Sequence, residues 1–304
     1  MLKRIRLLSL IGASAFLSAG AWARVHVVTT TDYTEALTKA VGGDKIDVES
    51  LVPAGFNADD YSSRPQDLFK IHRANLFITV GLNLEDWARD LVNAANNPNL
   101  VKAEIYHGIP LLDVPKGNID YSFGDIHPYG NPHFQLNPED GRIMARNICK
   151  ALVYVDSGDK TTFEKNLADF ESNLSKAEAR WHAEMAPYKG YAFIPYHESW
   201  TYFAEAFHLR IPEPPKTIEE KPGFVPSPRR IEEVVRMARD KNVKAIVTEP
   251  YYDVSIGKAV ADQLGVPLLN ISLYDIGLNP QEKDYISMMD VIVNQFVEAF
   301  KHAR

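Results

Sequence analysis

The sequence predicts an α/β protein of two similar lobes with mainly parallel sheets, joined by one long backbone helix. Three observations predict it. Short apolar strands alternate with helix-period segments in both halves of the chain, and Gly, Pro and Asp punctuate the changes. Between the halves, a single amphipathic stretch runs uninterrupted from Asp159 to Ala186.

Residues 1–23 stand apart from the fold. Lys3, Arg4 and Arg6 precede an apolar run from Leu7 to Ala21, and Ala21-Trp22-Ala23 supplies the small-x-small pattern of a cleavable secretory signal. The run is short of the roughly 20 apolar residues a membrane span needs. Cleavage after Ala23 is expected, leaving a soluble periplasmic protein.

The N-terminal lobe is placed at 24–156. It opens with a strand, Val25 to Thr29, and a helix from Tyr33 to Val41 that Gly42-Gly43-Asp44 stops, because glycine takes the left-handed helix-ending conformation cheaply. A strand from Ile46 to Val52 runs into a loop, Pro53 to Ser63. Helix Pro65 to Ala74, strand Leu76 to Val80 and helix Leu84 to Ala95 follow. After a polar stretch, Pro115 to Pro132, comes a helix from Pro138 to about Val153.

The linking helix is placed at 157–188. Its apolar residues Phe163, Leu167, Phe170, Leu174, Ala177, Trp181 and Met185 recur in steps of three and four. At 1.5 Å per residue it spans about 40 Å. An aromatic-rich stripe of that length suits packing across two lobes better than coiled-coil pairing.

The C-terminal lobe, 189–304, repeats the alternation: strand Tyr191 to Pro195, helix Trp200 to Phe207, helix Ser227 to Lys241 and strand Val243 to Thr248. Helix Val254 to Leu264, strand Pro267 to Ile271 and helix Lys283 to Lys301 complete it.

Without Lys3, Arg4 and Arg6 the 33 basic residues become 30 against 40 acidic ones, a net of −10. That balance argues against nucleic acid as a partner. The one cysteine, Cys149, permits no internal disulfide and lies far from the cleavage site, where a lipid anchor would need it. It sits in the apolar rhythm of Ile143, Met144, Ile148 and Leu152, as a buried thiol would. A monomer without a lipid anchor is expected.

Ligands of open α/β sheets collect where strands end at their C-termini. Those positions carry Asp59 and Asp60, His133, His197 with Glu198, Glu249 and Asp275. Imidazoles and carboxylates drawn from separate loops suit a first-row divalent ion.

At these residues the chain resembles the metal-binding solute-binding proteins of zinc/manganese ABC importers. Val41-Gly42-Gly43-Asp44 matches the family's turn after its first helix, and Ala74-Asn75-Leu76-Phe77 with Gly81-Leu82-Asn83-Leu84-Glu85 resembles its ADL…NGLGLE block. Asn131-Pro132-His133-Phe134-Gln135-Leu136-Asn137-Pro138 resembles DPHVWLDP, and His197-Glu198-Ser199-Trp200-Thr201-Tyr202-Phe203 resembles HDAFGYF; both carry a ligand histidine in the family. Pro226-Ser227-Pro228-Arg229 and Thr248-Glu249-Pro250 match two further blocks.

The resemblance implies a divalent ion, zinc first with manganese or iron as alternatives, held between the lobes and delivered to the membrane permease of an ABC importer. It transfers His133 and His197 directly. Where the family has a histidine in PHxYEPxPxD this chain has Asp59, with Asp60 beside it, and the LDPLG aspartate falls near Ser272, three residues before Asp275. The implied metal set is His133, His197, Asp59 and Asp275. His127 is a candidate accessory contact. Glu198 and Glu249 are expected to orient the imidazoles, and Glu219-Glu220-Lys221 to form a solvated loop. Affinity is expected to fall on acidification through about pH 6, where free histidine titrates. An exported metallohydrolase with Glu198 as base is the alternative, but no HExxH or GxSxG pattern supports an enzyme.

Overall fold

The computed structural model describes residues 24–116, 127–221 and 223–303. The expected signal segment at 1–23, and part of the polar stretch between Pro115 and Pro132, lie outside the described residues.

The chain enters through β1 (Val25–Thr29) into α1 (Asp32–Gly42). The Thr31 hydroxyl caps α1 by accepting from the Thr34 amide, and Gly43, at φ 59°, ends it in the left-handed half of backbone space. β2 (Ile46–Ser50), α2 (Pro65–Arg73), β3 (Leu76–Thr79), α3 (Ala88–Ala95) and β4 (Val101–Glu104) follow. They form a four-stranded sheet in the order β2-β1-β3-β4, with every pair parallel.

Two features depart from the sequence reading. α3 starts at Ala88 rather than Leu84, because Leu82 and Asn83 both take positive φ and Glu85 is drawn into the turn. The Glu85 carboxylate accepts from the Val80 amide at 2.7 Å, the Gly81 amide at 3.1 Å and the Thr30 hydroxyl at 2.5 Å. β4 was not anticipated: Val-Lys-Ala-Glu is an edge strand whose Lys102 and Glu104 are exposed, so it offers no apolar run.

α4 (Pro138–Val155) and α5 (Lys160–Met185) come next, with Asn137 capping α4. Cys149 is buried on α4. The second sheet, β5 (Ala192–Pro195), β6 (Val243–Thr248) and β7 (Leu268–Asn270), is also parallel, in that order. Around it run α6 (Thr201–Ala206), α7 (Pro228–Asp240), α8 (Val254–Leu264) and α9 (Tyr285–His302).

α5 turns Phe163, Phe170, Leu174, Ala177, Trp181 and Met185 inward, leaving Leu167 half-buried, and packs against α1, α4 and α9. Burying each of the larger side chains contributes roughly 1.5–3 kcal/mol. The Trp181 indole also donates to Asp290 of α9 at 2.6 Å. The main core is continuous between the halves, joining Val27, Leu37 and Phe134 to Trp181, Phe193, Phe203 and Phe296. Smaller clusters lie around Phe77 in the first half and Val234 in the second.

A shared core resists wide hinging of one lobe on the other. It also holds loops from the two halves together: the Ile276 amide donates to Asp32 Oδ2 at 2.8 Å, and the Gly55 amide to the Tyr274 carbonyl. The candidate centre lies among such loops.

Candidate metal centre

Asp59 lies in the loop after β2. Its amide donates to Asn57 Oδ1 at 3.2 Å, and the preceding Ala58 carbonyl accepts from the Trp87 indole at 3.1 Å. This pins the loop so that the Asp59 side chain is almost wholly enclosed while Asp60 is exposed and bonded to Asn57. Of the two adjacent aspartates, Asp59 is therefore the inward one.

His133 follows Asn131-Pro132 and precedes a 3₁₀ turn at Phe134–Leu136. The Asn131 side chain accepts from the His133 amide at 2.9 Å and donates to the Glu198 carbonyl at 2.7 Å, tying the His133 loop to the other half. His197 follows β5 and starts the turn leading into α6. The amides of Ile218 and Glu219 donate to the carbonyls of Pro195 and Tyr196, at 3.0 and 3.1 Å, so residues 218–219 run beside the end of β5. That pairing brings Glu219 to His197, with Oε1 2.5 Å from Nδ1 and both side chains buried.

One ligand atom each from Asp59, His133 and His197 lie within 4.8 Å of one another. Asp59 Oδ2 is 4.0 Å from His133 Nε2, and the His133 and His197 rings meet edge-on with centroids 5.6 Å apart. Tyr252 packs against the His197 ring at 5.4 Å; Tyr33 and Tyr274 are buried nearby and Tyr251 is half-buried, and desolvation raises all three phenols well above the usual range.

The two imidazoles differ in protonation. Burial pulls His133 down to about 3, although Asp59 opposes it. Burial also pulls on His197, but Glu219, and then Asp59 and Glu249, more than offset it and push His197 up to about 10. Burial acts to raise Asp59, yet the imidazoles of His133, His127 and His197 hold it well below the usual carboxylate range. The two imidazoles are thus shifted in opposite directions from the ordinary histidine range.

The structure brings three of the four expected residues together. Asp275 is not among them: its side chain is partly exposed in the loop after β7, and its charge acts on Asp32 and Glu282. His127, outside the group of three, has Nε2 3.5 Å from Asp59 Oδ1.

The supporting carboxylates also need correction. Glu219 is not solvated but buried, and it takes the orienting role expected of Glu198 and Glu249. Glu198 instead accepts from Lys216 Nζ at 2.5 Å, and Glu249 accepts from the Trp200 indole at 2.8 Å. Only Ile218, apolar beside the acidic run, hinted that this segment turns inward.

A groove of about 640 Å³ lies elsewhere, lined by Phe77, Arg89, Lys102 and Tyr106 and containing none of the three residues. Among the described residues, no helix is long and apolar enough to cross a membrane.

Comparison with known proteins places the whole of this fold in one family. A family profile described as "Zinc-uptake complex component A periplasmic" matches residues 27–299. The metal ABC transporter substrate-binding lipoprotein FimA of Streptococcus parasanguinis is 29% identical over 301 residues, covering 96% of this chain and 94% of its own. The manganese ABC transporter substrate-binding lipoprotein PsaA of Streptococcus anginosus is 28% identical over 284 residues, covering 90% and 89%. A crystal structure of ZnuA superposes with a TM-score of 0.75 at 21% identity, over 91% of this chain and 99% of that one.

Proposed function

The chain belongs to the zinc-uptake complex component A family, the metal-binding substrate-binding proteins of ABC importers, and from that premise we propose that it captures zinc in the periplasm and delivers it to a membrane permease. Members of the family are extracytoplasmic carriers; we read this chain likewise as a carrier rather than an enzyme, working as a monomer. Asp59, His133 and His197 are the proposed ligands. The observation that carries the reading is their convergence within 4.8 Å from both halves of the chain.

Nitrogen ligands favour zinc, whereas the Asp59 carboxylate also admits manganese or iron, and the PsaA relative is named for manganese. Two imidazoles from opposite halves make capture cooperative with the closed arrangement of the loops. His133 is ready to bind at neutral pH, since burial keeps it unprotonated down to about 3. His197 offers Nε2 only after losing its proton, while Glu219 retains the Nδ1 side of the ring.

The test is elemental analysis and zinc titration of the wild-type protein and a His133→Ala, His197→Ala double variant. One ion per wild-type chain, lost in the variant, is expected. An unchanged stoichiometry in the variant would sink the proposal. Manganese or iron in protein recovered from its native periplasm would overturn zinc while keeping the carrier.

A further inference from the structure

We infer that His127 is a fourth ligand, so that the ion is held by three imidazoles and one carboxylate. The inference rests on the metal-site reading above and specifies its donors. His127 is mostly buried, its side chain 12% exposed, and among the described residues neither ring nitrogen has a hydrogen-bond partner. An imidazole enclosed with both nitrogens unsatisfied is costly unless it serves something else, because each lost partner costs about 1–3 kcal/mol.

Its position says what it serves. Asp59 presents one oxygen to each of two imidazoles: Oδ1 lies 3.5 Å from His127 Nε2, and Oδ2 lies 4.0 Å from His133 Nε2. Two donors each about 2.0–2.2 Å from a tetrahedral ion stand roughly 3.4 Å apart, so the first separation suits one edge of a coordination shell. A good direct hydrogen bond between them would be shorter, so Asp59 Oδ1 and His127 Nε2 attract as an ion pair without a well-formed hydrogen bond. The His127 and His133 rings meet edge-on with centroids 5.8 Å apart.

The local sequence makes this placement rigid. His127 and His133 flank Gly130, whose amide donates to the His127 carbonyl at 3.2 Å, and the next amide, of Asn131, donates to the Leu112 carbonyl at 2.9 Å. Gly130 has φ 125°, and a Cβ there would stand 3.3 Å from the Leu112 carbonyl oxygen and from Val114 Cγ2. The turn therefore needs glycine, and it returns the chain so that both imidazoles face Asp59. Because His127 lies outside the group of three within 4.8 Å, coordination draws its ring further in. Three nitrogens with one oxygen make a set that prefers zinc to manganese.

The experiment compares wild type, His127→Ala, His127→Gln and His133→Ala in the mature chain. Zinc and manganese affinities are read by chelator competition, and coordination by the visible absorption of bound cobalt(II). Both His127 variants should lose more than the about 100-fold that an outer-shell change costs in zinc affinity. They should lose less in manganese affinity, and their cobalt spectrum should change. Zinc affinity within about threefold of wild type (under 1 kcal/mol) and an unaltered cobalt spectrum would overturn the inference and leave the carrier reading intact. If wild type binds none of these ions, or His133→Ala binds them as well as wild type, the metal-site reading itself fails.

Discussion

Replacing Glu219 with glutamine tests how the site manages protons. With His133 at about 3 and His197 at about 10, His133 is neutral throughout pH 6–9 and His197 is protonated. An arriving ion must expel one proton from His197, so wild-type affinity rises with pH, about tenfold per unit, with about one proton released per ion. At pH 7 that competition costs about 4 kcal/mol, from the three units separating pH 7 from about 10 at ~1.36 kcal/mol each. In Glu219→Gln the main upward influence is gone, and burial, opposed now only by Asp59 and Glu249, should bring His197 down toward neutral pH. Relief of the proton competition then opposes the loss of ring orientation and basicity, itself about 10–100-fold in affinity. Absolute affinity at pH 7 is therefore a poor discriminator, and the pH slope is the readout. Zinc competition between pH 6 and 9, with calorimetry in two buffers of different ionisation enthalpy, measures both slope and proton count. The variant should show a nearly flat slope above pH 7 and little proton release. Equal slopes in the two proteins, or no proton release from wild type at pH 7.5, would refute this account of the pair.

Two other substitutions probe how the halves are held. Trp181→Ala removes a fully buried indole from α5 and its bond to Asp290, and should lower unfolding free energy by about 3–5 kcal/mol in urea denaturation. Lys216→Met removes the ammonium that lies 2.5 Å from both Asp113 of the first half and Glu198, the neighbour of His197. Zinc release, followed by stopped-flow chelation, should quicken by about tenfold or more, with Lys216→Arg retaining most of the wild-type behaviour.

Local periodicity made most of the fold legible. The stripe of Phe163, Phe170, Leu174 and Trp181 announced α5, and β6 and α8 end where their apolar runs end, at Thr248 and Leu264. β4 escaped because an exposed edge needs no apolar pattern, and the start of α3 shifted because Glu85 bonds backbone rather than extending a helix. Motif resemblance singled out His133 and His197 and aligned Asp59 with a ligand position. Glu219 was not legible: its role depends on residues 218–219 running beside β5, a contact between segments over 20 residues apart that no local pattern records. Asp275 illustrates the converse, since a residue can follow the right strand and still point elsewhere.

Glu219 and Asp275 together raise the question of how a buried dication is neutralised. Two carboxylates on the ion, Asp59 and Asp275, would balance it formally, but only Asp59 reaches the centre. With Asp59 ionised and a protonated His197 facing the Glu219 carboxylate, these three groups sum to −1. When a dication enters and the His197 proton leaves, the sum becomes zero. Glu219 thus supplies the second negative charge through the imidazole, without occupying a coordination position. A second carboxylate bonded directly to the ion would leave the closed site at −1, and uncompensated buried charge is costly. His127, entering as a neutral ligand, adds a nitrogen donor without disturbing that balance. The electrostatics therefore favour one carboxylate on the ion and one behind His197.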